Sequence, residues 1–365
     1  MSDRGDNLVS RRRAALRILA VVVPLAVTTA CGPSAANSGE IDLPGAMRER
    51  IEALESRIVG GGASFPDAFY QAVNTDFNKI AGGELVTYAK SGSADGRNQL
   101  NSGTLDFAGS DSLPKADEQL PEDLLFFPTV AAPITISYNL SSVDELALGP
   151  LTLAAIFQAD ITRWNAPEIA ADNPGVSLPD LPITVVHRSD GSGTTKNFTS
   201  YLGSAAPGLW RLGVGDEVAW PSVTQGAEKN SGVAEVIKKT SGSIGYVDLG
   251  DAAKAGLSIA RVQNSAGHYM LPTAEAVELA LEGADVAADL TFNPLNSPGE
   301  GAYPITAPTW ILVSARNAPD EVESLRAYLE YLLGPAQSQA LALGYVPLPK
   351  SLAEKAIAQI DRLHS

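Results

Sequence analysis

Apolar residues recur along the chain with alternating helical and strand-like spacing. Phe69, Val73, Phe77 and Ile80 lie three or four positions apart, which predicts a helix with one buried face over residues 65–80. The segment LVTYAK after it has the β-branched and aromatic residues of a strand. Further helices are predicted at 95–100, 151–157, 194–202, 231–239, 273–281 and 321–333, and strands at 105–108, 181–189 and 243–249. This alternation favours an α/β fold with mostly parallel sheets.

Two extended runs are much longer than the other predicted strands, at residues 124–140 and 303–315. If each run crosses between two lobes, the chain passes twice through a hinge. The prediction is a discontinuous first lobe of residues 58–130 plus 306–365, and a second lobe of residues 131–305. Ligands of open α/β sheets bind at the carboxyl ends of the strands, so a cleft between the lobes is the expected site.

The first 57 residues differ from the rest of the chain. A basic stretch, an apolar stretch from residue 14 to 27 and small residues precede the single cysteine, Cys31. That order predicts an export signal over residues 1–30, since the apolar run is shorter than the roughly 20 residues of a membrane span. Residues 31–57 are predicted as a tether followed by a short helical spacer, MRERIEALESRI at 47–58.

Composition and net charge indicate which kinds of ligand the protein can bind. The chain has 365 residues with a formal net charge of -16 and 45% hydrophobic content, which suits two globular domains and excludes a disordered protein. Such an acidic chain is a poor nucleic-acid ligand. It can still bind a small anion, because helix N-termini and one arginine act locally. With one cysteine, no disulfide forms within the chain.

Three segments place serine and glycine just before a predicted helix: GGGASFPDAF, KSGSADGRNQL and RSDGSGTT. Helix capping by serine explains each one singly. Three in one chain, one of them with Arg188, instead favour an oxyanion site, because free backbone N–H groups at helix N-termini and an arginine fork both donate to oxyanions. A fourth segment, TLDFAGSDSLP, ends a predicted strand at Asp111.

Asp111 decides which oxyanion would fit. An ionised carboxylate only accepts hydrogen bonds, so it suits an oxyanion that carries a proton, as phosphate does at neutral pH, and rejects sulfate. The alternative is that Asp111 caps a neighbouring turn, because SDSLP is typical turn sequence.

Two other classes of function were weighed from the residues. His187, Asp190 and Ser192 supply the residue types of a hydrolase triad, here a phosphate-ester hydrolase. They crowd one short segment without a G-x-S-x-G motif. His268 and His364 lack acidic or cysteine neighbours at metal-ligand spacing, so neither metal nor cofactor is expected. The third class is an interaction protein without a ligand site.

Eight stretches together resemble a known family. GGGASFP, SGS with QLNSGTLDFAGSD, FFPTV, IFQADITRWNAPEIA, NPGVSLPDLPITVVHRSDGSGTT, GSIGYVDL and AYPITAPTWILV are similar in order and spacing to the phosphate-binding protein of bacterial phosphate ABC importers. The resemblance covers residues 59–348. It implies a two-lobed periplasmic-binding-protein fold (type II) with hinge crossovers, which binds phosphate without being an enzyme and delivers it to the importer's permease and ATPase subunits.

The resemblance also implies the residues of the site and the location of the protein. Asp190 would hold Arg188 in position, and Cys31 resembles the lipidated cysteine of a bacterial lipoprotein, with Thr28 where that pattern has leucine. The protein would be periplasmic or anchored at the outer face of the cytoplasmic membrane. Two departures are Ser64, where the family often has threonine, and residues 224–233, which are less rich in glycine. The implied phosphate-binding residues are Ser64, Phe65, Ser93, Asp111, Arg188, Ser192, Gly193 and Thr194.

Overall fold

The computed structural model describes residue 41 and residues 43–365. The predicted export signal and the predicted lipidation site at Cys31 lie outside the described residues. Within the described part of the chain, no helix combines the length and the apolar character that crossing a membrane requires.

Eleven α-helices and thirteen strands make up the described chain. The helices are α1 Gly45–Glu52, α2 Asp67–Ala81, α3 Ser93–Asn101, α4 Pro150–Phe157, α5 Pro167–Asp172, α6 Gly193–Ala205, α7 Lys229–Lys239, α8 Leu249–Ala255, α9 Ala274–Glu282, α10 Pro319–Leu333 and α11 Lys350–Gln359. The strands are β1 Ile58–Gly62, β2 Val86–Lys90, β3 Phe107–Ser110, β4 Leu124–Tyr138, β5 Ala147–Leu148, β6 Thr184–Arg188, β7 Gln225–Ala227, β8 Ser243–Asp248, β9 Ser258–Ile259, β10 Arg261–Gln263, β11 Tyr269–Met270, β12 Thr306–Ser314 and β13 Val346–Pro347. Short 3-10 helices lie at Pro335–Gln339, Leu341–Leu343 and Ile360–Arg362.

The main sheet has the strand order β2-β1-β3-β12-β4-β8-β6-β7, with β9 and β13 also paired to β4. Its outer strands are parallel: β1 pairs in parallel with β2 and β3, and β6 with β7 and β8. Its centre is antiparallel, because β12 opposes β3 and β4, and β4 opposes β8. The prediction of mostly parallel sheets is therefore wrong for the two long central runs.

Strand β4 explains the antiparallel centre. Its residues 124–133 pair with β12, and its residues 134–138 pair with β8. Since β3 and β4 both oppose β12, β4 runs in the same direction as β1, β2 and β3, and it then runs opposite to β6, β7 and β8. The carboxyl ends of the two parallel groups consequently point toward each other across the middle of β4, which is where open α/β sheets bind ligands.

Helix α1 is shorter than predicted and does not stand apart. The predicted helix over 47–58 ends at Glu52, and Ile58 instead begins β1. Ile51 is fully buried in the main core, and Arg50 pairs with Glu330 of α10. Burial of the single apolar stripe therefore packs α1 against the globular body, and the spacer prediction for this segment is wrong.

The core has one large cluster and one small one. The large cluster extends along β4 and β12 and includes the aromatic residues of α2 and α10. The small cluster lies under α7 and α8, where Val186 of β6 and Val247 of β8 contact Val233 and Ile237. This packing fixes the start of α7 near the ends of β6 and β8.

Candidate functional site

The candidate site is built where the parallel strands end. Ser64 follows β1, Ser93 follows β2 and Asp111 follows β3, whereas Arg188 is the last residue of β6 and Asp248 the last of β8. Residues far apart in the sequence meet here because the carboxyl ends of both strand groups face one point. The predicted site residues are buried at this point.

The three serines of the glycine-rich segments have different roles. Ser192 is the N-cap of α6, and its hydroxyl accepts the Thr195 N–H at 3.2 Å. Ser64 and Ser93 cap no helix: the residue before α2 is Pro66 and the one before α3 is Gly92, neither with a side-chain cap bond. Capping therefore accounts for Ser192 only, and the other two hydroxyls are turned toward the facing strand ends.

Asp111 lies between the two strand groups. Its carboxylate accepts the Ser93 hydroxyl at 2.6 Å and the Thr194 hydroxyl at 2.9 Å, while Gly193 N–H donates to Ser93 Oγ at 3.2 Å. These bonds join the start of α3, the end of β3 and the start of α6. The carboxylate thus bonds hydroxyls from both sides of the cleft rather than capping a turn, which was the alternative from the sequence.

The environment of Asp111 acts on its pKa in both directions. Burial raises the pKa of Asp111 above its ordinary value, against the Ser93 hydrogen bond, the charge of Arg188 and the Thr194 hydrogen bond, which lower it. A carboxylate with few polar neighbours would be far costlier to bury. The hydroxyls and the guanidinium are therefore what make a buried acid tolerable here.

Arg188 is held by two side chains. Its Nε donates to Asp190 at 2.7 Å and its Nη2 to the other Asp190 oxygen, while its Nη1 donates to Asn230 Oδ1 at 2.7 Å. Burial acts to raise the pKa of Asp190, but the hydrogen bonds and charge of Arg188 outweigh it and hold that pKa below its ordinary value. Three of the five guanidinium N–H groups are used. The remaining two, one on each terminal nitrogen, form a fork suited to an oxyanion.

Two glycines allow the close approach of the two sides. A Cβ at Gly193 would lie 2.6 Å from the Asp111 carboxyl carbon and 2.6 Å from Ser93 Oγ. A Cβ at Gly92, where φ is +113°, would lie 2.7 Å from the Gly191 carbonyl oxygen. Real side chains do not tolerate such contacts, so glycine is required at both positions for this geometry.

Phe65 belongs to the turn between β1 and α2. The Tyr345 hydroxyl donates to its carbonyl at 2.7 Å, and the two rings meet edge to face with centroids 6.4 Å apart. The backbone at Phe65 is thereby fixed close to Ser64. The eight residues predicted for the site all lie in this one buried region.

Several contributing residues were missed from the sequence. Asn230, at the start of α7, bonds Arg188, Thr194 and Asp248. Tyr246 of β8 accepts the Arg188 N–H at 3.1 Å and lies 2.7 Å from the Thr195 hydroxyl. The sequence GSIGYVDL predicts first a tight turn into a buried strand, with lining of the cleft as the lesser alternative. A lone asparagine in EKNSGV carries no local signal either, because its partners lie on other elements.

A second polar network crosses the same cleft outside the site. Arg97 of α3 pairs with Glu118 at 2.5 Å and with Asp216 at 3.0 Å, and Asp216 also accepts the Ser112 hydroxyl at 2.5 Å. The Asp216 carbonyl accepts the Ser192 N–H at 3.0 Å. This network therefore connects α3 to the loop that precedes α6.

The three residues that could supply a hydrolase triad, Ser192, Asp190 and His187, make other contacts. The hydroxyl of Ser192 caps α6, and both oxygens of Asp190 accept from Arg188. The His187 ring stacks on Trp220 with centroids 4.8 Å apart, and its Nδ1 lies 2.9 Å from the Arg188 carbonyl oxygen. A triad needs a nucleophile, base and acid in hydrogen-bonded sequence, which these contacts do not provide.

Comparison with known proteins places this arrangement in a family. Residues 33–336 match a protein-family model that is described as a PBP superfamily domain. A phosphate-binding protein PstS from Xylella fastidiosa strain Temecula1 is 37% identical over 308 residues, which cover 82% of this chain and 83% of that protein. Phosphate-binding protein PstS3 from Mycobacterium bovis strain BCG / Pasteur 1173P2 is 31% identical over 353 residues, covering 92% and 95%.

Solved structures agree on the fold. A periplasmic phosphate-binding protein (PfluDING) bound with phosphate superposes with a TM-score of 0.69 at 25% identity, covering 83% of this chain and 93% of that one. An ABC-type phosphate transport receptor from Vibrio cholerae gives 0.55 at 20% identity, covering 80% and 100%. The predicted α/β fold of two lobes joined by crossovers is thus confirmed. The chain belongs to the PBP superfamily and, within it, to the family of PstS phosphate-binding proteins.

Proposed function

We propose that this protein binds inorganic phosphate between its two lobes and delivers it to the permease and ATPase subunits of a phosphate ABC importer, without catalysing a reaction. The observation that carries the proposal is the convergence of Asp111 and Arg188, one buried acceptor and one buried donor fork, at the facing strand ends. The 37% identical PstS relative and the phosphate bound in the PfluDING structure support it.

The proposed donors and acceptor match the chemistry of phosphate. The Arg188 fork, the hydroxyls of Ser64 and Ser192 and the backbone N–H groups of Phe65 and Gly193 donate to phosphate oxygens. The hydroxyls of Ser93 and Thr194 each have a single proton, which Asp111 accepts in this structure and which turns to a phosphate oxygen when phosphate binds. The Asp111 carboxylate, which has about four lone-pair sites, accepts one bond each from Ser93 and Thr194. It retains capacity to accept the proton that phosphate carries and sulfate lacks.

Calorimetric titration tests the proposal directly. Wild-type protein is expected to bind phosphate tightly and to ignore millimolar sulfate. Arg188→Ala removes the fork and leaves the half-buried Asp190 without its partner, which should cost phosphate binding about 2–5 kcal/mol. Ser64→Thr keeps the hydroxyl and should bind phosphate as the wild type does.

Two results would contradict the proposal. Phosphate affinity within twofold of wild type in Arg188→Ala would move the site elsewhere. Hydrolysis of a chromogenic phosphate ester, lost in Ser192→Ala, would instead favour the alternative of a phosphate-ester hydrolase. Mass spectrometry of ligand released on denaturation separates phosphate from a related oxyanion.

The proposal extends to location and lobes. Export with lipid attached at Cys31 places the binding site on the outer side of the cytoplasmic membrane, where an importer takes up its solute. Residues 58–130 and 306–365 would form one lobe and residues 131–305 the other. Cys31→Ala should release the protein from membranes in fractionated cells, whereas an unmodified wild-type chain beginning at Met1 in the cytoplasm would contradict lipidation.

A further inference from the structure

Asn230 is a buried residue whose side chain bonds Arg188, Thr194 and Asp248 and has no role assigned to it yet. It has no exposed surface, and it follows Lys229, whose φ of +62° is rare for a residue with a side chain. This backbone turn directs the Lys229 N–H to Asp190 Oδ1 at 3.1 Å and the Asn230 N–H toward Ser64 Oγ at 3.4 Å. Strain of this kind persists only where surrounding contacts hold it.

The contacts of the Asn230 amide fix its orientation. Nδ2 donates to Asp248 Oδ2 at 2.9 Å and lies 3.3 Å from Thr194 Oγ1, while Oδ1 accepts from Arg188 Nη1 at 2.7 Å. A guanidinium has no acceptor, so the Asn230 oxygen must face Arg188. The amide nitrogen is then left to donate to Asp248, which holds the side chain in this orientation.

Asn230 therefore holds the guanidinium on the side opposite to Asp190. With Asp190 on Nε and Nη2 and Asn230 on Nη1, the plane of the Arg188 head group cannot rotate. We infer that Asn230, anchored by Asp248, is a positioning residue of the phosphate site, which acts by aiming the Arg188 fork and orienting the Thr194 hydroxyl. The inference rests on the function proposed above.

The amide has an advantage over a carboxylate at this position. A second acid beside Arg188 would orient the guanidinium as well, but it would also compensate its charge and repel an incoming anion. It would in addition lie against Asp248, with which Asn230 shares a 2.9 Å hydrogen bond. A neutral acceptor positions the fork and leaves its positive charge for the ligand.

The test compares phosphate titrations of wild type and Asn230→Ala. Loss of a hydrogen bond to a charged group should weaken phosphate binding about ten- to hundredfold. The matched control is Asn173→Ala: Asn173 is also buried and its amide makes three hydrogen bonds, all to backbone groups away from the cleft. That control is expected to lower thermal stability and to leave phosphate affinity unchanged.

A double-mutant cycle separates positioning from a general packing role. Lysine has no planar fork, so in an Arg188→Lys background the further change Asn230→Ala should cost clearly less phosphate affinity than in the wild type, because only the orientation of Thr194 is then lost. Equal losses in both backgrounds, additive within about twofold, would overturn the inference. If the losses are equal but the wild type binds phosphate tightly, only the inference about Asn230 fails and the proposed function is retained. If the wild type does not bind phosphate, the proposed function itself is contradicted.

Asn230→Asp guards against a folding defect, because it preserves the shape of the side chain. The introduced carboxylate should weaken phosphate binding at least as much as alanine does. Affinity equal to that of the wild type in this variant, with an unchanged melting temperature, would also overturn the inference.

Discussion

Asp111 and Arg188 illustrate how one residue can set another's chemistry. The charge of Arg188 counters the effect of burial on the pKa of Asp111, and Asp111 in turn bonds hydroxyls from both lobes. Removing either charge changes both the electrostatics and the hydrogen bonds that close the cleft. Substitution at Asp111 is therefore the most direct probe of anion selectivity.

Asp111→Asn should relax the rejection of sulfate more than it weakens phosphate binding. The amide removes a negative charge from the site and adds a donor, so sulfate no longer faces an unpaired acceptor. We expect the phosphate-to-sulfate affinity ratio to fall about ten- to hundredfold, measured by calorimetry with both anions at one pH.

Asp172→Asn is the matched control for that change. Asp172 also accepts two hydrogen bonds, from Gly149 N–H at 2.8 Å and the Tyr269 hydroxyl at 2.8 Å, but away from the cleft. It should leave both affinities unaltered. An unchanged phosphate-to-sulfate affinity ratio in Asp111→Asn would show that Asp111 has only a structural role.

Site residues can be predicted from the sequence where neighbouring residues form a recognisable pattern. They are missed where their role depends on contacts with distant parts of the chain. Ser192 and Gly193 precede a helical apolar pattern, so their place at a helix start follows from a few neighbouring letters. Asn230 and Asp248 are functional only through partners on other strands. Capping explains each serine segment taken singly, but Ser64 and Ser93 make no cap bond, because the strand ends and not their own helices determine where these hydroxyls point.

At the scale of elements, the start of α6 must approach β3 very closely. Gly193→Ala would bring a methyl group to 2.6 Å from the Asp111 carboxyl carbon, and such overpacking typically costs about 1–3 kcal/mol. The added methyl group destabilises the closed form of the cleft, because Asp111 and α6 lie on opposite sides of the cleft. Phosphate affinity should drop about tenfold or more, as measured by calorimetric titration.

Gly232→Ala on α7 provides the comparison. Its added Cβ would meet Ala227 at 3.7 Å, an ordinary contact, and alanine is the better helix former by about 1 kcal/mol. This variant should unfold at a higher denaturant concentration with wild-type phosphate affinity. Equal affinities in the two glycine variants would contradict the requirement for glycine at 193.

Periodicity identified elements better than their pairing. The helices α2, α7, α9 and α10 follow directly from apolar residues at helical spacing, and β4 extends over almost all of the run predicted at 124–140. Strand direction is not written in such a pattern, since a buried parallel strand and a buried antiparallel strand have the same apolar sequence. The antiparallel pairing of β4 with β12 and β8 follows from its passage between two groups of strands.

At the scale of the whole molecule, contacts beside the ligand site also hold the lobes together. Arg97 and Asp216 form a buried ion pair across the cleft, and Lys196 Nζ donates to the Leu113 carbonyl at 2.6 Å. Buried pairs of this kind are not a strong source of net stability, but losing one partner leaves an uncompensated charge. The pair therefore links closure of the cleft to correct contact between the lobes.

Arg97→Met should lower both stability and the lifetime of the phosphate complex. It leaves the buried Asp216 carboxylate and the half-buried Glu118 carboxylate without the Arg97 charge, which costs about 3–5 kcal/mol, seen as a lower midpoint in denaturant unfolding. Phosphate should dissociate faster in stopped-flow experiments, with association little changed, because interface substitutions act mainly on the dissociation rate.

Arg211→Met is the control, because it breaks an exposed ion pair with Asp160. It should lower the free energy of unfolding by about 0–1 kcal/mol and leave the rates of phosphate binding and release at their wild-type values. A wild-type dissociation rate in Arg97→Met would show that closure does not depend on the pair.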